Sequence, residues 1–251
     1  MKNKNQITLI TGARRGIGRE IALKFAKEKH DLFLLVRKKE DAEDLSKDLK
    51  KYKIKFKFLI GDLKDEKYLD QIKKNVPKIN NLINNAALPN SKHFLNVTEK
   101  DFQDIVSVNL KAIFKLSQIF SKKMIAKNIN GSIVNVSSQL GLIGAYNRTV
   151  YCMTKFGLEG LTKSMAMDLG KYGIRVNTVC PTKTSPTKVV PAHLPKNKRD
   201  KTRKRLNLIK KKIPLGKFST TKQIASIVFF LTSEDSHSIT GTSIVSDGGW
   251  T

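Results

Sequence analysis

The sequence predicts one α/β domain built as a doubly wound parallel sheet of about seven strands with helices on both faces. Short apolar runs alternate with amphipathic stretches of helical spacing along nearly the whole chain, the pattern of strands buried on both faces between crossover helices. The first apolar run leads directly into a glycine-rich turn and then a helix. A length of 251 residues is enough to bury a substantial core in one such domain.

Gln6 to Ile10 reads as the first buried strand, and it enters Thr11-Gly-Ala-Arg-Arg-Gly-Ile-Gly18 without a break. Ile17, Ile21, Leu23, Phe25 and Ala26 then mark the apolar positions of a helix. Strand, glycine turn and helix are the setting of a dinucleotide-binding fingerprint, here with Gly12, Gly16 and Gly18 spaced G-x-x-x-G-x-G. Glycines open conformations closed to other residues, let backbone approach a pyrophosphate and let helix pack close to strand. A tight turn without a ligand is the plain alternative.

Asp31 to Val36 is the second strand and ends at Arg37-Lys38-Lys39. An acidic residue at this place would hold a ribose 2′-hydroxyl, but the position is apolar Val36 followed by cations. Arg37, with Arg15 from the glycine turn, suits a 2′-phosphate through charge-assisted hydrogen bonds, so the sequence favours NADP(H) and leaves NAD(H) open. Arg37 and its lysines as a solvated strand end are the other reading.

Asp41 to Tyr52 is helical in pattern, and Ile54 to Ile60 reads as a third strand ending at Gly61-Asp62-Leu63. Asp62 can accept a hydrogen bond from an adenine amino group or cap the helix that follows. Leu82-Ile-Asn-Asn-Ala-Ala87 is a fourth strand and turn, whose asparagines serve exposed backbone groups as readily as a ligand. Thr98 to Asp101 looks like a helix cap. In the long helix after it Asn109 interrupts the apolar side, either as a structural hydrogen-bonding residue or as part of a polar relay.

Gly131 to Ser138 is a fifth strand, delivering Ser138 to its C-terminal end, where open α/β sheets bind ligands. A helix from Tyr151 to about Leu169 would set Tyr151 and Lys155 one turn apart on one face. A cation so placed favours the phenolate of a tyrosine, whose reference pKa is ~10, and Ser138 could donate to an oxygen on which charge builds. Gly157 and Gly160 weaken this helix but permit close packing. Ile174 to Val179 is a sixth strand broken by Pro181, 182–215 is an irregular basic insertion, Thr220 to Leu231 another helix, and Ser243 to Trp250 a last strand and turn.

Charge is the unusual feature of the composition. Lys and Arg number 48 against 21 Asp and Glu, a net +27, a field that attracts phosphates, acidic proteins, nucleic acid or anionic membrane. A general lysine excess on every solvated face accounts for the same balance. Two cysteines, Cys152 and Cys180, give neither a disulfide framework nor a metal site. Apolar runs all fall short of the ~20 residues that span a bilayer, and a cytoplasmic protein is expected.

Taken together and in order, Thr11 to Gly18, Asn84-Asn85-Ala86-Ala87, Asn109, Ser138, Tyr151, Lys155 and Asp247-Gly-Gly-Trp250 resemble the short-chain dehydrogenase/reductase family over essentially residues 1–251. The resemblance implies a single Rossmann-type domain with Asn109, Ser138, Tyr151 and Lys155 as the catalytic set. In that reading Tyr151 is the general acid, Ser138 polarises a carbonyl, Lys155 lowers the tyrosine pKa and bonds the nicotinamide ribose, and Asn109 holds a water of a proton relay. It also implies cofactor contacts from Gly12, Arg14, Arg15, Gly16, Ile17, Gly18, Arg37, Asp62, Leu63, Asn85, Ala86, Ala87, Pro181, Thr182 and Thr184. A homotetramer paired through the helices bearing Asn109 and Tyr151 is implied as well.

The chain departs from the family pattern at Ala87, where glycine is usual, and at Pro181-Thr182-Lys183-Thr184. The expected activity is NADPH-dependent reduction of a ketone or aldehyde. A 3-oxoacyl thioester on acyl carrier protein or coenzyme A would use the basic run Lys196 to Lys212, which favours that reading slightly, whereas Gln139, Asn147 and His93 lining the pocket would suit a hydroxylated substrate, a sugar or polyol; Thr182 and Lys183 could face the substrate in either case. A non-catalytic binding protein on the same fold is the remote alternative, disfavoured by the intact Ser138, Tyr151 and Lys155.

Overall fold

The computed structural model describes residues 6–89, 91–185 and 206–251; the basic run from Lys196 to Arg205 lies outside them. Seven parallel strands form the sheet: β1 (Ile7–Thr11), β2 (Asp31–Val36), β3 (Phe56–Ile60), β4 (Asn81–Asn84), β5 (Ser132–Val136), β6 (Arg175–Pro181) and β7 (Ser243–Ser246). Their order is β3-β2-β1-β4-β5-β6-β7. Strand order reverses between β1 and β4, which pair in parallel from Thr8 opposite Asn81 to Ile10 opposite Ile83. A crevice opens at such a switch point, above the C-terminal strand ends.

Helices α1 (Gly16–Lys27), α2 (Lys39–Lys50), α3 (Glu66–Asn75), α4 (Glu99–Val106), α5 (Ala112–Ala126), α6 (Thr149–Gly170) and α7 (Thr221–Phe230) cover both faces. Ile21 and Phe25 of α1, Leu45 and Leu49 of α2, and Ile224 and Val228 of α7 bury against one face. Tyr68 and Ile72 of α3, Leu116, Phe120 and Met124 of α5, and Ala166 of α6 bury against the other. Burial on both sides explains why β4 and β5 are buried at every position.

Local chemistry sets the helix ends. Thr98 and Asp101 form a reciprocal capping box at α4, Thr220 and Gln223 another at α7, and Asp65 caps α3 by accepting from Lys67 N. Two elements differ from the sequence reading, while α3 is the helix expected after Asp62, with only Tyr68, Leu69 and Ile72 of its ten residues buried. Pro181 does not break β6 but ends it, paired with Ser246, because a terminal strand position needs no donor from proline. The long helix through Asn109 is interrupted by a π-helical turn at Ser107–Lys111.

Candidate active site

The glycine turn between β1 and α1 is held in one shape by its neighbour. Thr11 Oγ1 accepts from the backbone nitrogens of Asn85 and Ala86, both at 2.9 Å. Asn85 Nδ2 returns two bonds, to Thr11 O at 3.0 Å and Gly12 O at 3.1 Å. Asn85 thus serves backbone groups. Gly12 has φ +67, and a Cβ on Gly18 would overlap Gly12 O and the Asn85 amide, so only glycine fits there.

Against this turn lies a cavity of about 460 Å³ lined by Gly12, Arg14, Arg15, Arg37, Asp62, Leu63, Asn85, Ala86 and Ala87. That volume is within the range of small-ligand and cofactor sites. Gly16 is exposed at the bend, and Ile17 packs instead against the core beside α1. Asp62 accepts from Lys64 N at 3.0 Å. It does not cap α3, a role that falls to Asp65.

Arg15 and Arg37 are exposed and have no salt-bridge partner among the described residues. Arg14 is different: its Nε lies 2.7 Å from Oδ1 of Asp41, whose side chain is nearly buried. Sequence reasoning missed Asp41, Lys64 and Asp104, which also line the cavity. Lys64 Nζ bonds Asp104 at 3.0 Å. An acid in the first turn of α2, just after a cationic run, was the only signal for Asp41.

At the strand ends on the other side of the switch point sits a second group. Ser138 follows β5, is buried, and accepts from Leu140 N at 3.1 Å. Tyr151 and Lys155 occupy successive turns at the start of α6. The Tyr151 hydroxyl is bonded to Ser138. Lys155 is fully buried, donates to Val136 O at 2.8 Å, and lies 5.6 Å from the Tyr151 ring centre.

Burial pushes the Tyr151 phenol above its usual range, while the Ser138 bond and the Arg148 charge act the other way. Lys155 is itself desolvated and brought down to about 8, with Cys180 and Glu159 opposing the burial. Loss of water around the phenol is the largest of these effects.

Asn109 is buried in the π turn, and its amide is fully engaged. Oδ1 accepts from Leu88 N at 2.8 Å, and Nδ2 donates to Leu88 O at 3.0 Å and to Thr154 Oγ1 at 3.2 Å. Of the two readings open in the sequence, the side chain performs the structural one. A π turn is a place where backbone groups leave the regular α ladder.

Pro181, Thr182 and Thr184 are buried at the end of β6 and in the chain after it, and Lys183 between the threonines is exposed. Gln139 is buried, whereas His93 and Asn147 are exposed, Asn147 with φ +59. Gln139 Oε1 and Thr182 Oγ1 have no hydrogen-bond partner among the described residues. Buried polar atoms of this kind are matched by a ligand or water in a working protein. A glycine turn that only a close-lying backbone or phosphate explains, exposed arginines and these polar atoms together fit a nicotinamide dinucleotide.

Residues 6–198 match the model of the short chain dehydrogenase family. The chain is 36% identical to L-xylulose reductase of Mus musculus over 242 residues, 96% of this chain and 95% of that one. It is 34% identical to the 3-oxoacyl-[acyl-carrier-protein] reductase of Thermotoga maritima, covering 99% of both. Among solved structures, 4-hydroxyisoleucine dehydrogenase complexed with NADH superposes with TM-score 0.87 at 28% identity, over 98% of this chain and 99% of that one.

Proposed function

The chain belongs to the short chain dehydrogenase family and is an oxidoreductase, and from that premise we propose that it reduces a small hydroxylated ketone to its alcohol with NADPH. The observation that carries this is the Ser138, Tyr151 and Lys155 group at the strand ends, beside a cleft walled by Arg14, Arg15 and Arg37.

The bound nicotinamide supplies the hydride. Arg15 and Arg37 hold the 2′-phosphate by charge-assisted hydrogen bonds, and the Gly12 to Gly18 turn admits the pyrophosphate against backbone. Ser138 donates to the carbonyl oxygen as charge develops on it. Tyr151, kept protonated by burial, gives that oxygen its proton. Lys155 sits beside the phenol ring and favours transfer by its charge. Because the Asn109 side chain is committed to Leu88 and Thr154, a relay water would be held by its backbone carbonyl.

For the substrate, the buried and unmatched Gln139 Oε1 and Thr182 Oγ1 favour a partner rich in hydroxyls, in line with the L-xylulose reductase relatives. The likeness to a 3-oxoacyl reductase and the basic Lys210-Lys-Lys212 keep a 3-oxoacyl thioester as a second reading. NADPH oxidation followed with a pentulose, a diketone and an acetoacetyl thioester decides between them. Tenfold higher kcat/KM for the pentulose supports the first reading; turnover of the thioester alone supports the second, and turnover of no carbonyl contradicts both. We further propose a cytoplasmic homotetramer. Gly157 and Gly160 lie exposed on α6, consistent with close approach of another copy.

A further inference from the structure

One buried cluster is not used by the reaction as just derived. Glu159 lies one turn beyond Lys155 on α6 and is buried, so that Tyr151, Lys155 and Glu159 follow one another at four-residue steps along one face. Its carboxylate accepts from Thr178 Oγ at 2.7 Å and Ser243 Oγ at 2.5 Å, and from the Cys180 thiol at 3.3 Å. Those three donors come from β6 and β7 and are all neutral groups. No lysine or arginine forms an ion pair with Glu159 among the described residues.

An acid and an amine buried one helical turn apart each favour the charged form of the other. Groups facing Lys155 can be named element by element. On α6 they are Tyr151 and Glu159, with Arg148 acting on the phenol; on β6 there is Cys180; and β5 and the chain after it offer the Val136 carbonyl and the Ser138 hydroxyl. The Cys180 thiol is pushed up to about 12 by burial and then by Glu159, so it is uncharged at neutral pH. Among the groups facing Lys155, Glu159 is therefore the acid placed to favour its charged form.

We propose that Glu159 is a positioning residue of the active site, fixed by Thr178, Cys180 and Ser243, whose carboxylate keeps Lys155 protonated beside Tyr151. This rests on the catalytic reading of Tyr151 and Lys155 given above. Through Ser243 the same carboxylate ties the C-terminal strand β7 to the reacting end of α6. Glu159 acts only through Lys155 and touches neither substrate nor cofactor.

Glu159→Gln preserves size and removes the charge. In the carbonyl-reducing direction the rate falls at high pH as Lys155 loses its proton, so the descending limb of kcat/KM should move about one pH unit toward acid in this variant. A purely structural role would lower the rate or the Tm without moving the limb. Thermal unfolding gives a second reading that needs no activity. In a Lys155→Met background, which leaves Glu159 without its cation, Glu159→Gln should raise the Tm, whereas in the wild-type background it should lower it.

An unmoved limb in an active Glu159→Gln protein, or the same Tm loss in both backgrounds, overturns the proposal. Should Glu159→Gln alone fail to fold, the double variant with Lys155→Met is expected to fold, and its failure to do so also overturns it. Inactivity of the wild type toward every carbonyl would sink the reductase reading alone, while the thermal comparison would still decide the pairing of Glu159 with Lys155.

Discussion

The two ends of the cleft are built from different materials. At the phosphate end the charged groups, Arg15 and Arg37, are exposed and stand off the protein, and only Arg14 is tethered, to Asp41. At the reacting end Ser138, Lys155, Glu159 and Asn109 are buried, and Lys155, Glu159 and Asn109 are each engaged by another element. Exposed cations cost folding little, are screened by salt and act when a ligand arrives. Buried ones are fixed by the same contacts that hold the domain together. Cofactor choice can thus be altered without touching stability, whereas a change at the reacting end alters chemistry with little effect on cofactor binding.

The sharpest way to test that division is Tyr151→Phe. It removes one hydroxyl from the buried end and should lower kcat by roughly 10³-fold, within the range of a general acid, while the NADPH dissociation constant changes less than about threefold. A parallel loss of binding would show that the two ends are not separable. Gly18→Ala should do the reverse damage. Its Cβ would meet Gly12 O and the Asn85 amide, so the turn must shift, at a cost of about 1–3 kcal/mol in thermal stability and with NADPH affinity reduced.

His30 supplies a control far from either end, because it precedes β2 at the N-terminal edge of the sheet. It is bonded to Thr8, stacked on Phe25 and Phe229, and lowered to about 4, chiefly by burial, with Glu28 and Asp31 opposing. The unfolded chain takes up this proton first as pH falls, so stability is complete above about 6.5 and declines toward 4, by up to ~3 kcal/mol. Chemical denaturation across that window should show the decline in wild type and a flatter profile in His30→Gln. Acid loss of activity that follows the first profile is unfolding, not site titration. The smallest effect is expected for Asp41→Asn, which releases Arg14: NADPH affinity measured by titration should rise a few-fold, by less than about 1 kcal/mol.

What the sequence made legible follows the same division. Strands buried on both faces, the glycine turn, and Tyr151 with Lys155 one turn apart are local patterns, and they stand where the pattern put them. The bounds of helix α3 were hidden because seven of its ten residues are not buried and its apolar positions make a narrow stripe. The π turn at Asn109 leaves no mark in residue order. Pairs such as Arg14 with Asp41, and Glu159 with Thr178, Cys180 and Ser243, join separate elements and exist only once the sheet is assembled. Spacing fixes distance along a helix but says nothing of the desolvation that pushes the Tyr151 phenol up.

The central claim, a cleft that selects NADPH by exposed arginines while its chemistry is fixed elsewhere, is tested most directly by fluorescence titration of wild type and Arg37→Asp with NADPH and NADH at moderate salt. The account predicts tighter binding of NADPH than NADH by wild type, a loss of NADPH affinity of about tenfold or more in the variant, and an unchanged Tm. Equal affinity for the two cofactors in wild type, or an Arg37→Asp protein that binds NADPH as before, would contradict it.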